Sequence, residues 1–317
     1  MLSIYKSEKD GLRELTVDSL EEKTCWINLL KPTTEELKLV SEKTGVMLDF
    51  LKAALDQEEP SRIEIENDSL LILTNIPFME DESSFDTLPL GIIITPDHFI
   101  TVCLRENRVL TYFDSDNAKH FSTFKKSRFL LQILYRSAKL YLRYLKYINQ
   151  HTDEIEKNLR KSMKNKALFQ LLELEKSLVY FTTSLKDNGI VLQKLLRLRK
   201  NSNFEYLLKF YEEDEDLLED VIIENKQAIE MVEMHSNILS SMMDAFASII
   251  SNNLNMVMKF LTTVTIILAI PTMLASFWGM NVHVPFHDNI FGFFLVVSLS
   301  VALTGGVAFM LWKKSMF

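Results

Sequence analysis

The hydrophobic rhythm of the chain changes twice along its length. From residue 1 to about 125, short alternating runs are interleaved with brief helical patterns. Thr33 or Thr34, followed by Glu35, Glu36 and a periodic Leu37 and Val40, predicts a capped helix, and Val46 to Gln57 predicts another. Arg62–Glu66 and Leu70–Phe78 predict strands joined at Asn67-Asp68, and Leu88–Thr95 and Phe99–Leu104 predict a second hairpin around Pro96-Asp97. From about Lys126 the period becomes helical: Phe129–Met163 and Ala167–Leu198 carry apolar residues at threes and fours, with breaks at Asn165 and Asn201-Ser202-Asn203. These two helices are expected to be antiparallel. A third helix begins between Phe204 and Asp216 and, with no Pro or Gly before Pro271, is expected to run on into the last fifth of the chain. Begun near Asp220 it would approach about 90 Å at about 1.5 Å per residue, a rod able to carry a signal along its length.

The second change comes at Phe260. No charge occurs in the 19 residues from Phe260 to Trp278, and Ile290 to Trp312 is a second uncharged run. At about 1.5 Å per residue the first is long enough to cross most of a hydrocarbon core of about 30 Å. Two spans so close in sequence predict a helical hairpin, ending in residues that favour the interface: Trp278, and Trp312 before Lys313 and Lys314. The fold class is therefore an α+β domain, then long helices, then a two-helix transmembrane hairpin. The expected organisation is an α/β domain over 1–125, a helical region with the stalk of the long helix over 126–254, and a membrane domain over 255–317. Within that last part the spans cover about 258–278 and 290–312, the loop 279–289 and the tail 313–317. The loop has no Lys or Arg while the tail carries Lys313 and Lys314, which places the loop outside and both termini in the cytoplasm of a cell membrane.

Composition narrows the function. The 317 residues are 25% charged and 47% hydrophobic with a net charge of −8. An acidic balance opposes nucleic acid, which demands a basic face, and suits a cationic partner. Without the hairpin, about 255 residues remain, enough for a sizeable core. Cys25 and Cys103 have no metal-knuckle spacing and predict two reduced, packed thiols. The start MLSIYKSEKDGL lacks the apolar core of a signal peptide. No Walker loop, Gly-x-Gly-x-x-Gly, His-Glu-x-x-His or Ser-centred elbow occurs, so the sequence does not read as an enzyme.

Candidate chemistry lies on the first span. Asn255, Met258, Thr262, Thr265, Ala269, Thr272 and Ser276 are spaced by threes and fours and share one helical stripe, which extends back to Ser248 and Asp244. A stripe that is small, polar and uncharged either packs on another helix or faces water. At its end stands Gly279-Met280-Asn281, after Pro271 and Trp278.

That tripeptide, at the end of the first of two C-terminal spans, resembles the signature of the CorA family of magnesium transport proteins. The resemblance extends through SNNLNMVMKFLTTVTI and, more faintly, through TCWINLLKPTTEEL and LDQEEPSRIEIENDSLLI. It implies an α/β/α sandwich-like cytoplasmic domain and a homopentameric channel in the bilayer, with Mg2+ both transported and regulatory. By the same resemblance Gly279, Met280 and Asn281 form the selectivity filter, the Asn281 carbonyls accepting hydrogen bonds from the waters of a hydrated ion. Gly279 would allow close backbone approach and Met280 would pack to hold the ring. Ser276, Thr272, Thr265 and Thr262 would give hydroxyl rings and Asn255 an amide ring; Met258 and Leu261 resemble an apolar constriction, and Asp244 would form an inner acidic ring. The chain departs from the pattern at Trp278, where Tyr is common, and at Val282, where Phe is common. His283, His287 and Asp288 stand where relatives often place a glutamate.

Two acidic stretches are further candidates. Glu80-Asp81-Glu82, with Asp86 following, reads as a solvated loop or as half of a divalent-ion site, and Glu212 to Asp220 as acids favouring a helix N-terminus. The family resemblance singles out Asp220, which matches a regulatory aspartate, and pairs it with Glu80 or Asp81 of a neighbouring subunit. Two alternatives stay open. His283, His287 and Asp288 suit zinc, cobalt or nickel transport on the same scaffold, although Pro285 between the histidines opposes a helical ligand pair. A non-conducting, membrane-anchored helical sensor would need no stripe of hydroxyls.

Overall fold

The computed structural model describes residues 1–8, 11–81, 84–161, 165–199, 205–282 and 290–314. The chain divides into two compact units, Met1–Ser241 and Met242–Phe317.

The first unit is built on a seven-stranded sheet. Its strands are β1 (Leu2–Glu8), β2 (Gly11–Leu15), β3 (Cys25–Leu30), β4 (Arg62–Glu66), β5 (Ser69–Met79), β6 (Phe85–Ile94) and β7 (His98–Cys103). They lie in the order β2-β1-β3-β7-β6-β5-β4. Only β3 and β7 pair in parallel, with Ile27 opposite Ile100; every other neighbour is antiparallel. Two helices, α1 (Thr34–Thr44) and α2 (Leu48–Ala53), supply the crossover between β3 and the second half of the sheet.

Both faces of the sheet are covered, which explains why β5 and β6 read as nearly continuous apolar runs. Alternate residues Ile27, Leu29, Leu71, Leu73, Ile93, Ile100 and Val102 form one core with Leu37, Val40, Phe50 and Leu51 of α1 and α2. Residues of opposite parity face α3 (Lys126–Lys161) and α4 (Asn165–Leu198). There Trp26 and Phe99 pack on Phe129, and Asn188 accepts from Thr74 Oγ1 at 2.8 Å. Burying one such aliphatic side chain contributes about 1.5–3 kcal/mol. Gly91 of β6 leaves room for the end of α2, since a Cβ there would stand 2.8 Å from the methyl of Ala54, the residue that caps that helix. The unit is thus the expected α/β/α sandwich.

Thr33 caps α1 in a capping box with Glu36, and Gly45 ends it in the left-handed region at φ 73°. Helix α5 (Glu212–Trp278) starts in a similar way. Tyr211 N–H donates to Asp214 Oδ2 at 3.1 Å while Asp214 N–H donates to the Tyr211 carbonyl at 2.9 Å. Contacts fix the helix directions. Tyr141 meets Phe181 and Ser137 shares a pocket wall with Asn188, so α3 and α4 run antiparallel as expected. Arg128 pairs with Glu213 and Lys139 with Glu224, so α3 and the start of α5 run parallel.

Three differences from the sequence reading stand out. Strands β1, β2 and β3 are additional, and the pattern from Val46 to Gln57 is helical only over Leu48–Ala53. The two expected hairpins are also joined by a third, β5 to β6, with Met79 opposite Phe85. The breaks assigned to Asn201, Ser202 and Asn203 lie outside the described residues.

The second unit contains the remainder of α5 and α6 (Ile290–Lys313). Both helices are long and apolar enough to cross a membrane. Helix α5 is unbroken from Glu212 to Trp278 with Pro271 inside it. Proline lacks an N–H, so the Ile267 carbonyl loses its ordinary partner one turn back.

Candidate functional site

The spanning part of α5 has two unlike sides. Thr263 is fully buried, and Val264, Ile267, Ile270, Pro271, Leu274 and Trp278 are partly shielded. At about 100° per residue these seven fall within one sector of the helix. Helix α6 lies along that side: Pro271, Ala275 and Trp278 share a groove with Phe293, Val297 and Val301. The stripe Asn255, Met258, Thr262, Thr265, Thr272 and Ser276 lies on the opposite side, and each of its members is exposed. Leu261 and Asp244 are exposed too. The chain therefore does not use its hydroxyl stripe to pack its own second spanning helix.

The hydroxyls have a definite polarity. Thr265 Oγ1 donates to the Leu261 carbonyl at 2.8 Å and Thr272 Oγ1 to the Leu268 carbonyl at 2.9 Å. A hydroxyl has one proton and two lone pairs. With the proton committed to the helix, each of these threonines turns only acceptor capacity outward.

Helix α5 ends at the tripeptide. Gly279 N–H still donates to the Ala275 carbonyl at 2.9 Å, and the chain then leaves the helix through Met280, Asn281 and Val282, all exposed. A Cβ on Gly279 would stand 3.3 Å from the Ala275 oxygen, closer than ordinary van der Waals contact. The last carbonyls of a helix lack intrahelical donors and carry partial negative charge, a setting that favours a cation. His283, His287 and Asp288 lie outside the described residues, as does Glu82.

The acidic candidates sit in the first unit. Asp220 is exposed on α5, and Glu80 and Asp81 are exposed on the turn between β5 and β6, where Arg105 pairs with Glu80 at 3.3 Å. One chain does not bring Asp220 to that turn. The turn is tied to α4 near Ser177, which accepts from Phe85 N–H, whereas α5 meets α4 where Asn225 donates to the Leu185 carbonyl. The separation along the helices is about 20 Å. Among the described residues no group of three or more His, Cys, Asp or Glu is placed to hold a metal ion.

Within the run Glu212 to Asp220, Asp214 differs from the sequence reading. It is buried, accepts from Ser127 Oγ at 2.7 Å and closes the first turn of α5. Its position three residues after Tyr211, where a capping-box acid sits, was the signal available for it.

An α/β sandwich followed by long helices and two spanning-length helices, the first closing in Gly-Met-Asn, defines the class. A family model for the CorA-like Mg2+ transporter protein matches residues 21–314. The cobalt/magnesium transport protein CorA of Methanocaldococcus jannaschii is 30% identical over 96% of this chain and 96% of its own length. The magnesium transport protein CorA of Helicobacter pylori strain 26695 is 23% identical, covering 83% of this chain and 81% of its own. The complete structure of the CorA magnesium transporter from M. jannaschii superposes with a TM-score of 0.84 at 28% identity, covering 100% of this chain and 99% of that one. The chain belongs to the CorA-like Mg2+ transporter family.

Proposed function

We propose that the protein conducts Mg2+ across the cell membrane, with the exposed stripe of α5 lining a water-filled path built by several copies of the chain. Five copies is the number that the family resemblance implies. The observation that carries the reading is the division of α5 into a side shielded by α6 and an opposite side of exposed acceptor oxygens.

Magnesium holds its waters tightly and demands oxygen ligands, so rapid passage favours a wall that grips the hydrate. Waters bound to a cation donate hydrogen bonds strongly. Thr265 and Thr272, with their protons turned inward, match such donors; Thr262, Ser276 and Asn255 extend the same surface. Asn281, at the negative end of α5, is the filter residue, with Gly279 holding the turn close and Met280 packing around it. Met258 and Leu261 form the apolar constriction and Asp244 the inner acidic ring. The M. jannaschii relative is named for cobalt as well as magnesium, which supports Co2+ as a second ion; Ni2+ and Zn2+ rest on His283, His287 and Asp288 alone. Both termini are cytoplasmic and the Gly279–Asn289 loop is outside. Intracellular Mg2+ bound between Asp220 of one subunit and Glu80 or Asp81 of the next restrains the pore.

Cysteine substitution tests the path. Cys25 and Cys103 are buried, so background labelling by a small hydrophilic thiol reagent is low. Cysteines at Thr265, Thr272 and Ser276 are expected to react in the membrane-embedded protein, while those at Ile267 and Leu274 stay protected. The reverse pattern would refute the path.

A further inference from the structure

The first unit holds a second concavity unrelated to the ion path. About 360 Å3 in volume, it lies between the segment that follows β7 and one face of α3. Arg108 from that segment and Arg136, Lys139 and Arg143 from α3 line it. The α3 residues are three and four apart, so they project from one side of the helix.

What sets this cavity apart is uncompensated charge. Lys139 is paired with Glu224 at 2.6 Å. Among the described residues, Arg108, Arg136 and Arg143 have no ion-pair partner, in a chain of net charge −8. One carboxylate, Asp114, lines the cavity. Its Oδ1 already accepts from Asp116 N–H, Asn117 N–H and Asn117 Nδ2 at 3.1, 3.0 and 2.9 Å. Burial holds the Arg136 guanidinium below its ordinary value, opposed by Tyr112 and aided by the like charge of Arg143. An anion in the cavity would offset the repulsion between the two guanidinium groups.

The arrangement is also preorganised. The Arg136 guanidinium lies 3.5 Å over the centre of the Tyr112 ring. Stacking occupies a face of the guanidinium and leaves its N–H edges free for the two-point contact that suits phosphate oxygens. Because that ring is already taken by Arg136, recognition rests on the charged groups.

We propose that this cavity binds a small polyphosphate-bearing anion, gripped by the Arg108, Arg136 and Arg143 forks with Lys139 as a fourth charge. Three guanidinium groups and an ammonium around one concavity match a ligand with three or four negative charges better than a dicarboxylate with two.

The test is calorimetric titration of the full-length protein in detergent, with divalent ions removed so that the anion is not complexed. Inorganic pyrophosphate, ATP and malonate are titrated in turn. Saturable pyrophosphate binding is expected, weakened roughly tenfold or more by Arg143→Gln, the loss of one charge-assisted contact. Tighter binding of ATP would identify a nucleotide as the source, and equal affinity would identify the polyphosphate group alone; both agree with the proposal. Arg136 is half-buried and its Gln variant is read only beside a melting curve, whereas Arg143 is exposed and its replacement leaves the packing intact. No binding of pyrophosphate up to about 1 mM, an affinity unchanged in Arg143→Gln, or malonate binding as tightly as pyrophosphate would each overturn it. A loss of assembly in Arg143→Gln without any pyrophosphate binding would also overturn it, assigning these cations to carboxylates of a neighbouring copy.

Discussion

Single residues decide how the chain treats charge and hydration. Thr265 and Thr272 are hydroxyls in an apolar helix, and their inward hydrogen bonds make them acceptors on the outward side. Asp214 and Asp220 are six apart in one acidic run, yet the first is a buried helix cap and the second is exposed. His98 illustrates the cost of burial. Its imidazole is buried at the start of β7, and desolvation holds it below the ordinary histidine value against the opposing pull of Asp97. His235 is shifted the same way by burial, opposed by Asp153. A histidine whose folded value is lowered binds fewer protons in the native state than in the unfolded one. Its contribution is therefore complete above the unfolded value, about 6.5, and is lost as pH falls through it. The melting temperature is expected to drop between about pH 7 and pH 5, less steeply in His98→Gln. An equal slope in that variant would show that His98 is not among the groups responsible.

Elements differed in how much of them the sequence made legible. Helices α3 to α6 and strands β4 to β7 follow from period, apolar run length and turn residues: the helices and β5 to β7 carry long apolar patterns, and the half-exposed β4 is marked by its alternation and by the Asn67-Asp68 turn. Strands β1 to β3 leave little: β1 and β2 sit at one edge of the sheet and are only partly buried, and β3, buried and as long as β7, is joined to its sheet neighbours β1 and β7 by no tight turn. The β5–β6 hairpin was obscured because Glu80 and Asp81 make its turn look like a long polar loop. The stripe on α5 was legible as a stripe, but which side α6 covers is a tertiary fact that spacing alone does not fix. Helix α5 also carries Asp220, on the same unbroken element as the stripe. If Mg2+ at Asp220 restrains the pore, Asp220→Ala should leave transport intact and weaken its inhibition by internal Mg2+. Unchanged inhibition would remove Asp220 from the mechanism, and with it the pairing to Glu80 or Asp81, which a single chain keeps apart.

For the whole molecule, the proposed path along α5 requires assembly. In one chain the acceptor stripe, Met258 and Leu261 all lie exposed, and a lone helix offers no enclosed path through a bilayer. In the proposed ring each of them would gain a neighbour, and water would be enclosed between acceptor oxygens. Passage then needs no nucleotide, since two charges crossing 100 mV gain roughly 4.6 kcal/mol. The most direct measurement is Mg2+ entry into liposomes carrying the full-length protein, under an imposed inside-negative potential, for the wild type and Asn281→Ala. Entry well above that of protein-free liposomes is predicted for the wild type. The variant should lose roughly tenfold or more, the scale of a hydrogen bond to a charged partner. Wild-type liposomes no leakier to Mg2+ than empty ones, or an Asn281→Ala rate equal to wild type, would contradict the account.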